Sequence, residues 1–386
     1  GILFLLSALA LAAQSKLAYK DVFDRNAGLN HATSCMVEDR EGFFWIGTHN
    51  GLYRFDGSQA REIRFWPDDS TAVHSRMVFS LVLDRTNDFL WIGSGNGVFK
   101  YHLHSGKSEK IAAEWFFPKG DFKFPQCRLI YQDRQGELWA HFAVSGLVHL
   151  KDGGKSAERF TVDMSEKEDS ESAGWAHANC VSGIAQDALQ DSLIWVGTKA
   201  GLIKFNKNNC TIHRYYFSHP SKDMRKSANA MEALFPWTDG KIYIGTYNGG
   251  LLVFDPVSEQ FKQYLLHPEA VVGKSRENKV ESILYHSPNE LWVSGESELF
   301  LLNTQTGNFR RILQSSGVDF IDRTGNYWDM VANGLKLFHH SKNQIPQLLY
   351  PDEAPYKGAV TFRIREDTVA QTIFVRTAGI PGMPAY

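Results

Sequence analysis

The sequence predicts an all-β protein, a β-propeller most simply built of seven four-stranded blades. Three observations predict it. One aromatic-centred motif recurs along the 386 residues. Its copies are spaced close to the length of a four-stranded blade. Between copies lie short apolar runs and turn residues, with no long apolar stripe of helical period.

The first copy is DREGFFWIGTHNGLYRFDG, from Asp39 to Gly57. The motif returns as NDFLWIGSGNGVFKY from Asn87, GELWAHFAVSGLVHL from Gly136 and SLIWVGTKAGLIKFN from Ser192. It returns again as GKIYIGTYNGGLLVFD from Gly240, NELWVSGESELFLLN from Asn289 and GNYWDMVANGLKLFH from Gly325. A weak eighth copy, QTIFVRTAGIPGMPA, begins at Gln371. The anchoring aromatics are Trp45, Trp91, Trp139, Trp195, Tyr243, Trp292 and Trp328, with Phe374 in the weak copy. They are separated by 46, 48, 56, 48, 49, 36 and 46 residues.

Each part of the unit has a physical reason. A short apolar strand such as SCMVED, SLVLD or RLIYQD ends on Asp39, Asp84 or Asp133. A carboxylate there can accept hydrogen bonds from the N–H groups of the following turn. Gly42, Gly136 and Gly325 suit the positive φ of a tight turn. The aromatic then enters a second strand, where its flat ring can fill the wedge between neighbouring blades. Asn50-Gly51, Asn96-Gly97 and Asn333-Gly334 are hairpin signals. The strands LYRF, LIKF, LLVF and LKLF follow, and a more variable strand ends the unit. Such a unit cannot bury its own sheet faces. It must stack on copies, and closing the stack into a ring removes the free ends.

Bulk composition narrows the function. The net charge is −2 and charged residues make up 22% of the chain. No basic field exists to hold a nucleic-acid backbone or an anionic membrane, so neither is an expected partner. The apolar run from Ile2 to Ala13, followed by Gln14 and Ser15, reads as the apolar region and cleavage site of a secretory signal. It is shorter than the roughly 20 residues of a membrane-spanning helix. The chain begins with Gly and has no charged leader, so the true start is expected upstream. Residues 1–13 are therefore assigned to the signal, 17–345 to the propeller, and 346–386 to an incomplete further blade or the start of a second propeller.

The four cysteines, Cys35, Cys127, Cys180 and Cys210, form no CxxC pair, so no zinc or redox site is indicated. Export permits disulfides, and only Cys180 and Cys210 are candidates for one. The simplest reading is four small buried thiols. The scattered histidines, His102, His104, His339 and His340 among them, read as surface residues rather than metal ligands. No cofactor or metal is expected. SEKEDSES, from Ser165 to Ser172, reads as a solvated acidic loop.

A ligand site is expected at the mouth of the central channel, where the innermost strands begin. Counting eight positions back from the turn Asp or its equivalent gives His31, Arg76, Pro125, Asn179, Asn229, Asn278 and Gln314. Four positions back gives Cys35, Ser80, Leu129, Gly183, Ala233, Ser282 and Val318. A polar ring above a wall of small residues suits a channel mouth. Arg128, Glu232 and Glu281 lie between the two columns and, with His31 and Arg76, would line a polar cup. Trp66, Phe79 and Trp175 offer stacking faces nearby. Amide and charged groups with flat rings suit a carbohydrate, although each Asn alone is as well explained as a turn or strand bridge. The anchoring Trp residues read as inter-blade core, and the repeated Asp residues as turn formers rather than general acids.

The Asp-x-x-Gly-x-x-Trp turns also resemble the Asp-box of sialidases, which makes an exported glycosidase the competing class. Such an enzyme needs two carboxylates at a set separation and clustered arginines for an acidic sugar. Arg76, Arg128, Arg225 and Arg276 precede different turns, but no Tyr-Glu pair stands out beside them. GxSxG, HExxH and GxxxxGK[ST] motifs are absent. GSGNGVFK from Gly93 is read as a hairpin, not a phosphate loop, since no helix follows it.

The motif DREGFFWIGTHNGLYRFDG resembles the two-component-regulator propeller repeat, found in periplasmic sensor regions of hybrid histidine kinases and ahead of diguanylate cyclases. The resemblance covers the chain from about Tyr19 onward. Copies three, six and seven depart from it at Ala140-His141, Ser294-Gly295 and Asp329-Met330. It implies a seven-bladed propeller, with Tyr19 to Phe23 as the outer strand that closes the ring; eight blades is the alternative. It also implies a periplasmic sensor, anchored in the inner membrane through segments outside this chain and followed by a kinase or cyclase output domain. The expected ligand is an oligosaccharide or another small polar molecule, and the expected assembly is a homodimer. The remaining alternative is a propeller that binds no small molecule and serves as a dimerisation scaffold.

Overall fold

The computed structural model describes residues 19–21, 32–57, 59–66, 76–111, 126–142, 147–160, 181–270, 276–296, 298–314, 318–331, 334–338, 360–367 and 372–378. The signal segment, Trp175, the acidic loop from Ser165 to Ser172, His31, Asn179, Cys180 and Asn333 lie outside them.

Thirty strands run in chain order, beginning with the short β1 (Tyr19–Asp21). Blade one is β2 (Thr33–Glu38), β3 (Phe44–Thr48), β4 (Gly51–Phe55) and β5 (Ala60–Ile63). Blade two is β6 (Val78–Leu83), β7 (Phe89–Ser94), β8 (Gly97–His102) and β9 (Ser108–Ile111). Blade three is β10 (Cys127–Gln132), β11 (Leu138–Phe142), β12 (Leu147–Lys151) and β13 (Ser156–Phe160). Blade four is β14 (Val181–Gln186), β15 (Leu193–Thr198), β16 (Gly201–Asn206) and β17 (Thr211–Tyr215). A helix, α1 (Lys222–Asn229), precedes blade five, which is β18 (Met231–Pro236), β19 (Ile242–Thr246), β20 (Leu251–Asp255) and β21 (Gln260–Tyr264). Blade six is β22 (Ser282–Ser287), β23 (Glu290–Ser294), β24 (Glu298–Asn303) and β25 (Phe309–Gln314).

The strands β26 (Phe320–Ile321), β27 (Tyr327–Val331) and β28 (Gly334–Phe338) do not make a complete blade from consecutive strands. They form a composite sheet in the order β1-β28-β27-β26, with Tyr19 opposite Phe338. The fold is thus an all-β propeller with six four-stranded blades of consecutive strands, where seven blades are expected. Among the described residues, the place beside β28 is taken by β1 rather than by a strand that follows it in sequence. The last strands, β29 (Val360–Asp367) and β30 (Thr372–Ala378), pair only with each other.

Seven clusters of buried side chains sit between successive sheets. Trp45 packs with Leu81 and Phe99 of blade two, and Trp91 with Ile130 and Leu150 of blade three. Trp139 packs on blade four, Trp195 on blade five and Tyr243 on blade six. Trp292 packs with Tyr327 of the composite sheet, and Trp328 with Met36 and Ile46 of blade one. The ring aromatics are all at most 4% exposed, so the inter-blade reading of these residues holds.

The motif also explains the approach of one blade to the next. A Cβ on Gly47 would meet Val78 Cγ1 of blade two at 2.6 Å, and one on Gly245 would meet the Val280 carbonyl at 2.6 Å. The glycine after the aromatic therefore marks the narrow part of the wedge, where the next innermost strand passes. Small residues there also link innermost strands. Ser80 accepts from Ile130 N–H at 3.0 Å, and Ser282 Oγ donates to Val318 O at 2.6 Å. The following hydroxyl closes the hairpin. Thr48, Ser94 and Thr198 donate to the carbonyls of Gly51, Gly97 and Gly201 at 2.9, 3.0 and 2.9 Å. GSGNGVFK is accordingly the β7–β8 hairpin.

The cysteine reading needs one correction. Cys35 and Cys127 are free inner-strand thiols, and burial pushes Cys35 up to about 12 and Cys127 higher still. Cys210 is exposed, because it sits at φ 57° in the turn between β16 and β17 instead of in a strand.

The wedge geometry orders two substitutions. In Gly245→Ala the new methyl meets a backbone carbonyl that cannot swing away. In Gly197→Ala it meets the Leu234 side chain at 3.1 Å, which can shift. Gly245→Ala should cost about 1–3 kcal/mol and Gly197→Ala clearly less. Calorimetric melting of the two variants checks this, and equal losses would contradict the backbone contact.

Candidate functional site

At one end of the blades, the described residues that lead into an innermost strand meet the hairpin between the second and third strands. Backbone bonds join them: His49 N–H to Ala32 O at 3.1 Å, Gly95 N–H to Met77 O at 2.9 Å and Tyr247 N–H to Ala230 O at 2.8 Å. The six described residues of the expected cup take three different roles.

Asn229 and Asn278 belong to the frame. Asn278 is 1% exposed. Its Oδ1 accepts from His267 N–H at 2.9 Å and its Nδ2 donates to His267 O at 2.9 Å. Asn229 treats Phe217 in the same way, at 2.8 and 2.9 Å, and adds a bond to Arg225 O. A side-chain amide has the donor and acceptor of a peptide unit, so each Asn clamps the incoming crossover as a neighbouring strand would. Neither end of these amides faces a ligand, so the strand-bridge account replaces ligand contact for both.

Arg76 and Arg128 are exposed, on blades two and three. The Arg76 guanidinium lies 5.6 Å from the Trp66 ring centre, and Arg128 lies 5.4 Å from Phe79 of the neighbouring blade. Arg128 also donates to Gln126 Oε1 at 3.4 Å. The rings hold the guanidinium planes while leaving their N–H edges toward solvent.

Glu232 lies on β18 of blade five, and Glu281 just before β22 of blade six. Glu232 pairs with Lys199 of blade four at 2.6 Å, and Glu281 pairs with Lys279. Arg276, between them, lies 5.2 Å from the ring centre of Tyr247 and pairs with Glu296 at 3.6 Å. The structure thus brings Arg76 and Arg128 together with aromatics, and separately gives each carboxylate a lysine. His31 and Asn179 lie outside the described residues. So does the side chain of Gln314.

Two groups escaped sequence reasoning. His267 stands between Glu269 and Glu298, with Nδ1 3.2 Å from Glu269 and Nε2 against Glu298. Arg311 holds the second carboxylate at 2.9 Å. Burial works against its charge, yet the two carboxylates hold the His267 pKa above the ordinary value. The second group is Asp319, whose Oδ2 accepts from Met330 N–H at 2.8 Å. Burial, then the charges of Asp329 and Glu281, push Asp319 up to about 7 against the Met330 bond. Only contact across the composite sheet and blade six joins these acids, which no sequence spacing reveals. Among the described residues no three His, Cys, Asp or Glu side chains gather to hold a metal ion. No helix among them is long and apolar enough to cross a membrane.

Asp319 gives the fold a pH dependence of known sign. Its folded pKa lies above the ordinary 3.8, so the stabilising form is the protonated one. That contribution is complete below about pH 4 and is lost as pH rises through about 7. Asp319→Asn should therefore flatten the decline in melting temperature between about pH 4 and about pH 8. An unchanged slope in the variant would remove Asp319 as its source.

The comparisons with known proteins agree with this geometry. Residues 28–50 match the family model described as two component regulator propeller. The fold is similar to the extracellular domain of a putative hybrid two component system from B. thetaiotaomicron, with TM-score 0.64 and 18% identity. The match covers 84% of this chain and 42% of that one. A second similar structure is the extracellular domain of a putative one component system from the same organism, with TM-score 0.61 and 20% identity. There the match covers 92% of this chain and 44% of that one. The chain thus spans less than half the length of these solved relatives. No curated protein matches the sequence. The first copy of the blade motif is thus similar to the repeat of the two component regulator propeller family.

Proposed function

We propose that this chain is the ligand-sensing propeller of an exported signalling receptor, and that a small polar ligand, an oligosaccharide, binds at the channel entrance. The observation that carries this reading is the pair of exposed guanidinium groups laid on Trp66 and Phe79. Flat apolar rings beside fixed N–H donors match the C–H faces and hydroxyls of a sugar. Glu232, Glu281 and Arg276 add acceptors and a donor. The similarity to extracellular domains of two component systems supports export and a sensory role.

In this proposal the composite sheet is the seventh blade. The strand β1 closes the ring by pairing with β28, and Arg323 N–H adds a bond to Glu38 of blade one at 2.9 Å. The β29–β30 hairpin begins a further blade or a second propeller. The whole receptor sits in the periplasm, is held to the inner membrane by other segments, and works as a homodimer. The ligand signals by favouring one packing of propellers or protomers over another, since only differential binding shifts such an equilibrium. The chain itself performs no catalysis.

The test is thermal melting of the purified chain against an oligosaccharide panel, with product analysis in the same wells. A ligand at about 100 times its Kd adds about 2.7 kcal/mol, a rise of several degrees. Arg76→Ala and Arg128→Ala should each abolish the rise without lowering the melting point of the free protein. Turnover of any sugar overturns the sensor reading in favour of a glycosidase. An unmoved melting point across the panel favours the scaffold.

A further inference from the structure

On β15, β16 and β17 of blade four and the turns beside them lies a polar pocket of about 290 Å3. Leu193 forms its floor. Gln190, Lys204, Asn206, Asn209, Thr211 and His213 form its walls. The register explains the cluster. Lys204 stands opposite His213, and Asn206 opposite Thr211, with Leu193 beyond Asn206. Residues two apart on a strand share a face, so Lys204 with Asn206 and Thr211 with His213 point the same way.

The chemistry of this pocket is one-sided. Asn206 Oδ1 accepts from Asn208 N–H at 2.9 Å. Asn209 Oδ1 accepts from the N–H and hydroxyl of Thr211, at 3.2 and 2.8 Å. Those backbone donors require the amide oxygen and so fix the orientation of both amides. The NH2 groups are left as donors, with no further partner among the described residues. No carboxylate lines the pocket. The two acids of the adjoining turn are engaged elsewhere: Asp187 holds Trp195 Nε1 at 2.7 Å, and Asp191 holds Arg134.

Comparison with the other blades adds an independent observation. The residue opposite the anchoring Trp is a cation or histidine in four blades: Arg54, Lys100, His149 and Lys204. Arg54 pairs with Glu41 at 3.3 Å, and His149 lies 3.7 Å from Glu137. Lys100 packs its ammonium over Phe89 at 3.9 Å. Lys204 has no carboxylate partner among the described residues, and its nearest ring is Trp195 at 6.0 Å. Blade four supplies the cation without the acid that completes it in blades one and three.

We infer that this pocket is a binding site for the carboxylate or sulfate group of a small anionic ligand, with Lys204 Nζ and the Asn206 and Asn209 NH2 groups as its donors. An oxyanion offers only acceptors, which is what a wall of donors requires. The inference stands apart from the channel entrance and does not depend on it.

Calorimetric titration with glucuronate, at fixed ionic strength, tests it. Glucose serves as the uncharged match, and sodium sulfate as a competitor. Glucuronate should bind with one-to-one stoichiometry, sulfate should displace it, and glucose should give no binding heat. Lys204→Gln should weaken binding about tenfold, the loss of one charge-assisted hydrogen bond. Asn209→Asp keeps the oxygen that caps Thr211 but replaces a donor with a negative acceptor, and should weaken it at least as much. Both positions are surface-accessible, so the variants should melt like the parent. Arg76→Ala should leave glucuronate binding unchanged. The inference fails if glucuronate behaves like glucose, or if binding survives both pocket substitutions. It fails equally if binding is lost in Arg76→Ala, which would place the anion at the channel entrance.

Discussion

The contact on which the ring depends is the one between the turn carboxylate and the indole of the same blade. Trp45 Nε1 donates to Asp39 at 2.8 Å, Trp195 to Asp187 at 2.7 Å and Trp328 to Asp322 at 2.9 Å. Trp139 donates to Asp133 at 3.2 Å. In each case the other carboxylate oxygen takes N–H groups of the turn. One side chain therefore fixes both the turn and the angle of the ring that wedges against the next blade. A buried indole N–H without such an acceptor would carry the full cost of desolvation, so the pin makes the large apolar wedge affordable.

Adjacent blades are then locked at the same turns. Arg134 reaches from blade three to the Asp187 carbonyl at 2.6 Å, and Arg40 reaches from blade one to the Arg85 carbonyl at 3.2 Å. Lys207 of blade four lies over the turn of blade three, 2.6 Å from Asp133. Burial raises the Asp133 pKa, but the Lys207 and Trp139 hydrogen bonds more than offset this and hold it below the ordinary value. At the other end of the blades the described links are of another kind. There the links are backbone bonds and the two Asn clamps, which set the crossovers but leave their side chains varied.

The architecture was legible because the repeat must satisfy the same wedge at every seam. Trp45 and its counterparts could be assigned to the inter-blade core from spacing alone, and Gly47 and Thr48 recur for reasons a single blade cannot show. The pairing of Asp39 with the indole was less visible, since the Asp-to-Trp distance in sequence varies. In blade two Thr86 occupies the Asp84 oxygen that an indole would need. In blade five Tyr243 turns to Asp239, at 3.1 Å, while Trp237 fills the position of the Asp. Asn229 and Asn278 share one column of the aligned copies, but sequence position cannot say whether an amide faces solvent or a backbone crossover. Asp319 and the blade-four pocket were invisible for a different reason: their members meet across strands or between sheets.

This contrast suggests where function is carried in a propeller. Groups repeated at every blade are committed to the wedge and the turn, because changing one would open a seam. Chemistry is available where a blade departs from its neighbours. Arg76 is such a departure in a column otherwise given to a histidine, amides and a proline, Arg128 is one just beside that column, and Lys204 is one because it has no carboxylate partner among the described residues. The same logic applies to the closing sheet, where copy seven replaces the Gly-Thr pair with Asp329-Met330. The Met330 N–H then anchors Asp319, and Asp329 raises its pKa beside Glu281. The seam between blade six and this sheet thus contains a carboxyl that burial and like charges push up to about 7, a contact whose charge changes near neutral pH.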